Sequence, residues 1–310
     1  MIVAYNRYDL TESCLRHLRA QTIAHRVIVV DNGSTDDTRA RVRAEWPAVH
    51  LEQFDENRGY PEACNSGVAA GSGEIVVLLN NDVDCRRDFL ERLVAPMRDP
   101  AVGSVASLMV QPGGERIDGM GLAADPILAG FPRLQGLPVS RAHDVSPVLV
   151  GAGGSAGAYR RAAWEQVGGM DETIAAYMED FDLVLRLQIA GWRAVGEPDA
   201  VGVHLGSATF GYRSAGQRRQ AGFGRGYMLR RYGLLRGRTA PRALLTELVV
   251  VLGDLVVSRD LAALRGRVEG WRAGRRRPRL PRPPAECLDH DIGFFDSLAM
   301  RRGVYGRRAA

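Results

Sequence analysis

Two short acidic clusters carry the residue types from which a catalytic site can be built. Residues 80–84 read Asn-Asn-Asp-Val-Asp and directly follow an apolar run at residues 75–79. Residues 177–182 read Tyr-Met-Glu-Asp-Phe-Asp and open a stretch with helical apolar spacing. A carboxylate at the C-terminal end of a buried strand can hold a divalent cation. A carboxylate at a helix start can act as a general base, because the helix dipole stabilises its anion.

The first part of the chain alternates strand signals with helix signals. Four segments have the apolar content of strands: residues 2–5, 26–30, 50–54 and 75–79. Strands separated by helices are typical of βαβ units, so the expected fold class is α/β, with a Rossmann-like mostly parallel sheet flanked by helices. Ligands of such sheets bind at the carboxyl ends of the strands. We therefore expect Asp31 and Asp82, each just past a strand, to face one crevice.

Arginine supplies all of the permanent positive side-chain charge of the sequence. All 41 basic residues are arginine, and the net charge is a modest +5. Residues 272–282 hold six of these arginines. Such a cluster is either a solvated tail or a surface for an anionic partner. We expect no nucleic-acid partner and a peripheral contact with a membrane.

The cysteines and the apolar runs help to predict the cellular compartment of the protein. The four cysteines have neither the spacing of a metal site nor that of a disulfide framework, which favours a reducing compartment. The N-terminus shows no apolar signal core. The longest apolar run, residues 244–257, is interrupted by polar residues and is too short to span a bilayer. We expect a cytoplasmic location, at the inner face of the membrane.

Seven short motifs occur in a recognisable order. They are VAYNR at 3–7, VVDNGSTD at 29–36, NRG at 57–59 with ACNSG at 63–67, LLNND at 78–82, VGGMDE at 167–172, EDFD at 179–182 with Arg186, and HLGS at 204–207. With these motifs the sequence resembles glycosyltransferase family 2, and within it the rhamnosyltransferase-like enzymes. The resemblance implies a GT-A fold, a nucleotide-sugar donor, Mg²⁺ or Mn²⁺, and inversion at the anomeric carbon. Such chemistry uses both acidic clusters, one for the cation and one for the base.

The resemblance covers residues 1–208 and implies a catalytic domain there. Residues 209–310 would form a C-terminal helical, arginine-rich appendage. Helices are predicted over 217–232 and 241–271. From residue 244 onward the apolar residues recur at helical spacing and arginines follow them. This segment either packs on the catalytic domain or on a second subunit, or docks on an anionic membrane. The oligomeric state is not predicted.

The donor side of the site follows from the resemblance. Asp31 would accept a hydrogen bond from the donor's pyrimidine base, although it also suits a simple turn former. Tyr5 and Arg58 would line the base and diphosphate pocket, and Arg58 equally suits a surface arginine. The remaining expected nucleotide-sugar contacts are Ala4, Asn6, Gly59, Asn80 and Asn81.

The metal and base roles also follow from the resemblance. Asp82 would bind the cation, with the donor's diphosphate and water completing the shell, because residue 80 is Asn rather than a carboxylate. His204 would be a second metal ligand, with a structural role as the alternative. Asp180 would be the general base and Glu179 would bind acceptor hydroxyls, with helix capping as the alternative. An intrahelical salt bridge suffices to explain Asp182 and Arg186.

The acidic clusters and the resemblance together favour an inverting glycosyltransferase. Its donor would be dTDP-rhamnose or a UDP-sugar, and its acceptor a hydroxyl of a cell-surface glycan or a lipid-linked acceptor. One alternative is a nucleotidyltransferase, but residues 6–9 lack the glycine-rich basic loop expected after the first strand. The other is a non-catalytic sugar-binding or membrane-docking scaffold, against which the intact acidic clusters argue.

Overall fold

The computed structural model describes residues 1–143, 148–206 and 214–301. Its strands are β1 (Ile2–Ala4), β2 (Ile28–Asn32), β3 (His50–Phe54), β4 (Ile75–Asn80), β5 (Val83–Cys85), β6 (Val102–Val110), β7 (Ile117–Gly119), β8 (Leu122–Ala124), β9 (Gly130–Pro132), β10 (Ala156–Arg160) and β11 (Arg193–His204). Its helices are α1 (Tyr8–Arg19), α2 (Thr38–Glu45), α3 (Tyr60–Ala69), α4 (Phe89–Val94), α5 (Arg161–Gln166), α6 (Glu179–Ile189), α7 (Ala215–Arg231), α8 (Ala240–Ser258), α9 (Ala262–Gly274) and α10 (Phe294–Met300).

One large twisted sheet has the strand order β3-β2-β1-β4-β10-β6-β11-β5. Strands β1 to β4 pair in parallel, as the sequence predicts, with Val3 of β1 between Val30 and Asn80. Strand β10 runs antiparallel to both β4 and β6, and β11 is parallel to β6. The expected α/β class with a mostly parallel, helix-flanked sheet is confirmed. The carboxyl ends of β1, β2 and β4 meet at one edge, where the first acidic cluster begins.

The central strands form because their residues are apolar on both faces. All five positions of β2 and all nine of β6 are buried, a pattern typical of strands covered by helices on both sides. Helix α1 covers the sheet with Cys14, Leu15 and Leu18, which recur at helical spacing. These contacts fix the strand ends that carry the site.

The C-terminal helices continue the main core rather than standing apart from it. Met228 and Leu229 of α7 share one apolar cluster with Phe181 and Leu185 of α6. Helix α9 packs lengthwise along α7. The expected division at residue 208 falls in residues 207–213, outside the described residues, as does Ser207 of the last motif, so that division stays a prediction.

The predicted helix over residues 241–271 is two helices. It breaks between α8 and α9 at Arg259, whose backbone is left-handed with φ 53°. None of the helices in the described ranges is both long and apolar enough to cross a bilayer.

Glycines make the close packing of α7 on α9 possible. A Cβ at Gly270 of α9 would overlap the carbonyl oxygen of Phe223 on α7, and one at Gly226 of α7 would overlap the carbonyl oxygen of Arg267. Backbone atoms cannot yield as a flexible side chain can, so the two helices would have to separate.

We expect Gly270→Ala to lower the free energy of unfolding by roughly 1–3 kcal/mol, because overpacking forces α9 off α7. Gly216→Ala is the matched control, since a Cβ at that position of α7 meets nothing nearer than Ser214 Oγ at 3.8 Å. The control should be neutral or stabilising by up to about 1 kcal/mol. Urea denaturation measures both, and equal stability of the two variants would contradict the packing argument.

Candidate active site

Asp31 occupies the carboxyl end of β2 and is completely buried. Its Oδ1 accepts hydrogen bonds from Arg39 Nη2 at 3.0 Å and from the backbone N–H of Ser34 at 3.1 Å. Its Oδ2 is buried without a hydrogen-bond partner among the described residues. A buried carboxylate oxygen left unpaired is costly, so this atom is suited to accept a hydrogen bond from a ligand.

Residues after β1 shape the same end of the crevice. Asn6 has a left-handed backbone (φ 56°), and its Oδ1 accepts hydrogen bonds from the backbone N–H groups of Thr35 at 2.8 Å and Asp36 at 3.3 Å. The Asn6 side chain therefore ties β1 to the loop after β2. Ala4 is buried and pairs with Asp31 in the parallel ladder, and Tyr5 next to it is half-buried.

Arg58 and Gly59 lie at the rim. Arg58 forms a 3.2 Å salt bridge to Glu62 and stacks on the Phe54 ring at 4.6 Å. Gly59 has φ 91°, and a Cβ there would lie 3.2 Å from the carbonyl oxygen of Ala175. Arg58 is thus a partly exposed side chain that a ligand can redirect, while Gly59 lets the segment before the second acidic cluster approach α3.

Asn80 and Asn81 anchor the loop after β4. Asn80 Oδ1 accepts a 3.2 Å hydrogen bond from Tyr60 Oη, and Asn81 Nδ2 donates to Thr11 Oγ1 at 3.1 Å. Asp84 points away towards α1, where it accepts a 2.7 Å hydrogen bond from Ser13 Oγ. Asp82 is the carboxylate of this cluster that faces the end of β11.

The structure brings Asp82 and His204 together. Pairing of β5 with β11 sets His204 opposite Val83, and Asp82 Oδ1 lies 3.4 Å from His204 Nε2. The buried Asp82 Oδ1 makes no hydrogen bond of ordinary geometry within the described residues. On its other side, His204 Nδ1 lies 2.7 Å from Asp118 Oδ2 of β7.

Asp118 is a site residue that sequence reasoning missed, because only the β6–β7 pairing carries it to His204. A metal-binding histidine usually donates its second ring N–H to a carboxylate or carbonyl group, which directs the remaining nitrogen at the ion. The residues present therefore fit a divalent cation. Within the described residues, no three or more His, Cys, Asp or Glu side chains are arranged to bind one metal ion. A cation at Asp82 and His204 therefore requires further ligands from substrate and water.

Two carboxylates give this place a negative potential. Burial by itself lowers the pKa of His204, but the hydrogen bonds and charges of Asp118 and Asp82 outweigh burial and raise the pKa to about 10. The same two negative charges would attract a metal cation.

The second cluster lies at the beginning of α6. Asp180 Oδ2 accepts a 2.8 Å hydrogen bond from the backbone N–H of Gly154, and Oδ1 accepts one from Phe181 N at 2.7 Å. Glu179 Oε2 is buried without a hydrogen-bond partner among the described residues. Burial raises the pKa of Asp180; burial and the charge of Asp180 raise the pKa of Glu179 to about 8. Carboxylates with raised pKa values are suited to proton transfer near neutrality.

Tyr60 joins the two clusters. Its hydroxyl contacts Asn80 Oδ1 and the carbonyl oxygen of Gly154, both at 3.2 Å, and the N–H of Gly154 binds Asp180. The backbone N–H of Asn80 also donates to the carbonyl oxygen of Ser155 at 2.9 Å. Tyr60 and residues 154–155 thus connect the loop after β4 to Asp180, a role that no local motif revealed.

Helix α7 supports the loop that leads into α6. Tyr177 and Met178 both have left-handed backbones, with φ 61° and 81°, which is a strained conformation for non-glycine residues. Gly224 of α7 lies against them so closely that a Cβ would overlap the carbonyl oxygen of Tyr177. Part of the predicted appendage therefore buttresses the second acidic cluster.

Asp182 is structural. It forms the predicted salt bridge with Arg186, at 2.7 Å, and accepts a 2.9 Å hydrogen bond from Tyr232 Oη. Trp192 donates its indole N–H to Gln166 at 2.7 Å and packs against the core cluster of α6.

We expect Glu179→Gln to raise stability in alkaline solution. The folded-state pKa of Glu179 lies above its unfolded value, so folding retains a proton between roughly pH 4.5 and 8 and wild-type stability falls as pH rises through that window. Glutamine at position 179 does not ionise, so the variant avoids this loss of stability. The variant should melt above wild type at pH 8.5 and close to it at pH 4.5. Glu165→Gln on the exposed face of α5 is the control, and a pH-independent difference would contradict the assignment.

A family model and two relatives with known names are similar to this chain in sequence. The family model described as "Glycosyl transferase family 2" matches residues 1–168. The chain is 32% identical over 201 residues to the N-acetylglucosaminyl-diphospho-decaprenol L-rhamnosyltransferase of Mycobacterium tuberculosis, over 57% of this chain and 66% of that one. It is 28% identical over 218 residues to the O-antigen biosynthesis protein RfbC of Myxococcus xanthus, over 66% of this chain and 17% of that one. The chain thus spans less than two thirds of these relatives.

Two solved structures show the same fold. The mannosyltransferase PcManGT from Pyrobaculum calidifontis, solved with GDP-Man and Mn²⁺, superposes with a TM-score of 0.53 at 22% identity, over 90% of this chain and 75% of that one. GalNAc-T7, solved with UDP, GalNAc and Mn²⁺, gives a TM-score of 0.61 at 12% identity, over 80% of this chain and 49% of that one. The fold is the GT-A fold, as the motifs imply.

Proposed function

The chain belongs to glycosyl transferase family 2, and we propose that it is an inverting, metal-dependent glycosyltransferase. It would move a sugar from a nucleotide diphosphate to an acceptor hydroxyl. The observation that carries this proposal is the hydrogen-bonded connection from Asn80 through Tyr60 and Gly154 to Asp180. It joins the loop that carries Asp82, the proposed cation ligand, to Asp180, the proposed base, and displacement of a diphosphate by a hydroxyl requires both.

The donor would enter at the ends of β1 and β2. The unpaired Asp31 Oδ2 offers an acceptor for the imide N–H of uracil or thymine, and Arg58 offers a guanidinium for phosphate oxygens. Ala4, Tyr5, Asn6 and Gly59 would form the walls. We propose dTDP-rhamnose or a UDP-sugar as donor, a choice supported by the L-rhamnosyltransferase of M. tuberculosis and by the UDP bound to GalNAc-T7.

Asp82 and His204 would hold Mg²⁺ or Mn²⁺, with Asp118 orienting the imidazole and Asn80 and Asn81 fixing the loop. A cation bound there supplies charge neutralisation for the departing diphosphate. Both solved neighbours contain Mn²⁺, which supports a divalent ion.

Asp180 would take the proton from the acceptor hydroxyl. The N–H of Gly154 holds one carboxylate oxygen in place, and burial keeps the pKa of Asp180 raised. Glu179, with its unpaired Oε2, would hydrogen-bond the acceptor's hydroxyl groups. Attack from the side opposite the diphosphate then inverts the anomeric carbon.

The acceptor would be a cell-surface glycan or a lipid-linked glycan, and the enzyme would work in the cytoplasm at the inner face of the membrane. Support comes from the diphospho-decaprenol acceptor in the name of the M. tuberculosis relative. Nucleotide release from a panel of donors, with and without EDTA, tests the reaction class. Release of pyrophosphate in place of a nucleoside diphosphate, or no release from any donor, would contradict it.

We expect Asp82→Ala to abolish transfer and to weaken Mn²⁺-dependent binding of nucleoside diphosphate by at least about tenfold, because the cation loses its protein carboxylate. Calorimetry measures the affinity. Asp84→Ala is a close control, since that side chain binds Ser13 on α1 instead. Unchanged affinity in Asp82→Ala would contradict the assignment of Asp82 as a metal ligand.

We expect Asp180→Asn to keep the fold and the donor affinity while lowering kcat at least about 100-fold, the usual contribution of a positioned base. Glu179→Gln should instead raise the acceptor KM with a smaller effect on kcat. The opposite pattern, with near-normal turnover in Asp180→Asn, would assign the base to Glu179.

A further inference from the structure

Helix α8 has its polar and apolar faces reversed relative to a helix that packs on a protein core. Its buried side chains are Ala243, Thr246 and Glu247. Its outward face is leucine and valine, with Val256 and Val257 at least three-quarters exposed. A surface helix of a globular protein normally buries its apolar stripe and exposes its polar one. The reversal indicates that something apolar covers the outward face.

The exposed apolar face continues from α8 onto α9. We define the apolar ridge as the exposed residues Leu244, Leu245, Leu248, Leu252, Leu255, Val256, Val257, Leu261, Leu264 and Val268. Only two further large apolar side chains, Leu205 and Phe295, are comparably exposed within the described residues. Ten of the twelve exposed large apolar side chains of the described residues therefore lie on α8, α9 and the turn between them, and such a concentration is typical of a binding surface rather than of scattered surface residues.

The inward faces of both helices are firmly attached to the protein, so the ridge is a fixed surface. Glu247 accepts hydrogen bonds from Arg225 Nε at 2.6 Å and Arg267 Nε at 2.9 Å, which joins α8 to α7 and α9. Gly266 and Gly270 hold α9 against α7. The ridge therefore faces away from α7, and α7 in turn contacts the loop before Glu179.

The exposed charge around the ridge is mainly positive. Five exposed arginines flank the ridge or continue its stripe on α9 and make no salt bridge within the described residues: Arg259, Arg265, Arg272, Arg275 and Arg276. Two acidic residues of this region are paired, Asp260 with Arg218 and Glu269 with Arg219. The third, Asp254 of α8, lines a cavity together with Arg218 and Arg225 of α7. Across a two-fold axis these arginines would repel their copies, whereas an anionic lipid surface would attract them.

We propose that the apolar ridge seats this chain on an anionic lipid bilayer. The leucines and valines would enter the boundary between headgroups and acyl chains, and the five arginines would contact lipid phosphates. The purpose of this docking rests on the proposed function, because a lipid-linked acceptor would be presented at that surface. The docking itself depends only on the ridge.

Flotation of the full chain with vesicles tests the proposal. We expect binding to vesicles of phosphatidylcholine with phosphatidylglycerol, weaker binding to phosphatidylcholine alone, and release at about 1 M salt, where the Debye length is about 3 Å. Leu248→Glu combined with Leu252→Glu should reduce binding at least about tenfold. Ala44→Glu combined with Ala48→Glu, on and just after α2, makes the same charge change away from the ridge and should leave binding intact.

Control measurements distinguish loss of the ridge from loss of the fold. Thermal melting and Mn²⁺-dependent nucleoside diphosphate binding should match wild type in both double variants, and Val256→Glu with Val257→Glu serves as a second ridge variant if the first does not fold. Equal vesicle binding by ridge and control variants overturns the proposal. So does a wild-type dimer in sedimentation velocity that the ridge variants dissociate while vesicle binding persists. Failure to bind any nucleotide would reject the proposed function and leave the vesicle result to stand.

Discussion

The hydrogen bond from the backbone N–H of Gly154 to Asp180 is the contact on which the site depends. The carbonyl oxygen of Gly154 also accepts from Tyr60, which contacts Asn80, so the backbone of one residue, together with Tyr60, links two clusters that are far apart in the chain. A Cβ at Gly154 would lie 3.0 Å from Asp180 Oδ2, so a side chain at this position would crowd the carboxylate. The bond also compensates part of the cost of burying a carboxylate.

The carboxylates of the two acidic clusters and of β2 differ in how they are paired. Asp182 is fully paired with Arg186 and Tyr232, and Asp84 is tied to α1. Asp31, Asp82 and Glu179 each keep one buried oxygen without an ordinary hydrogen bond. The paired carboxylates stabilise the fold, whereas the unpaired ones are the atoms that a ligand can satisfy. This separation within one acidic region is the electrostatic basis of the proposed mechanism.

Helix α7, in the C-terminal part of the chain, supports the segment that leads into α6. Gly224 of α7 holds the left-handed residues Tyr177 and Met178 in place, and this fixes the direction in which α6 begins. Helix α9 packs along α7, Glu247 joins α8 to α7 and α9, and both α8 and α9 carry the apolar ridge on their outward faces. The apolar ridge and the loop before Glu179 are therefore connected through α7 within the described residues.

The sequence by itself determined the α/β class, the parallel β1–β4 sheet and the family, because strand and helix periodicity and short turn motifs are local properties. It also supplied the salt bridge of Asp182 with Arg186, which lie one helical turn apart. The sequence could not predict the contacts of Asp118, Tyr60 and Gly154. Only strand pairing and helix packing bring these residues to His204, Asn80 and Asp180. The reversed faces of α8 likewise appear only in the fold: apolar spacing predicts a helix with an apolar stripe, but which face meets the protein depends on what packs beneath it.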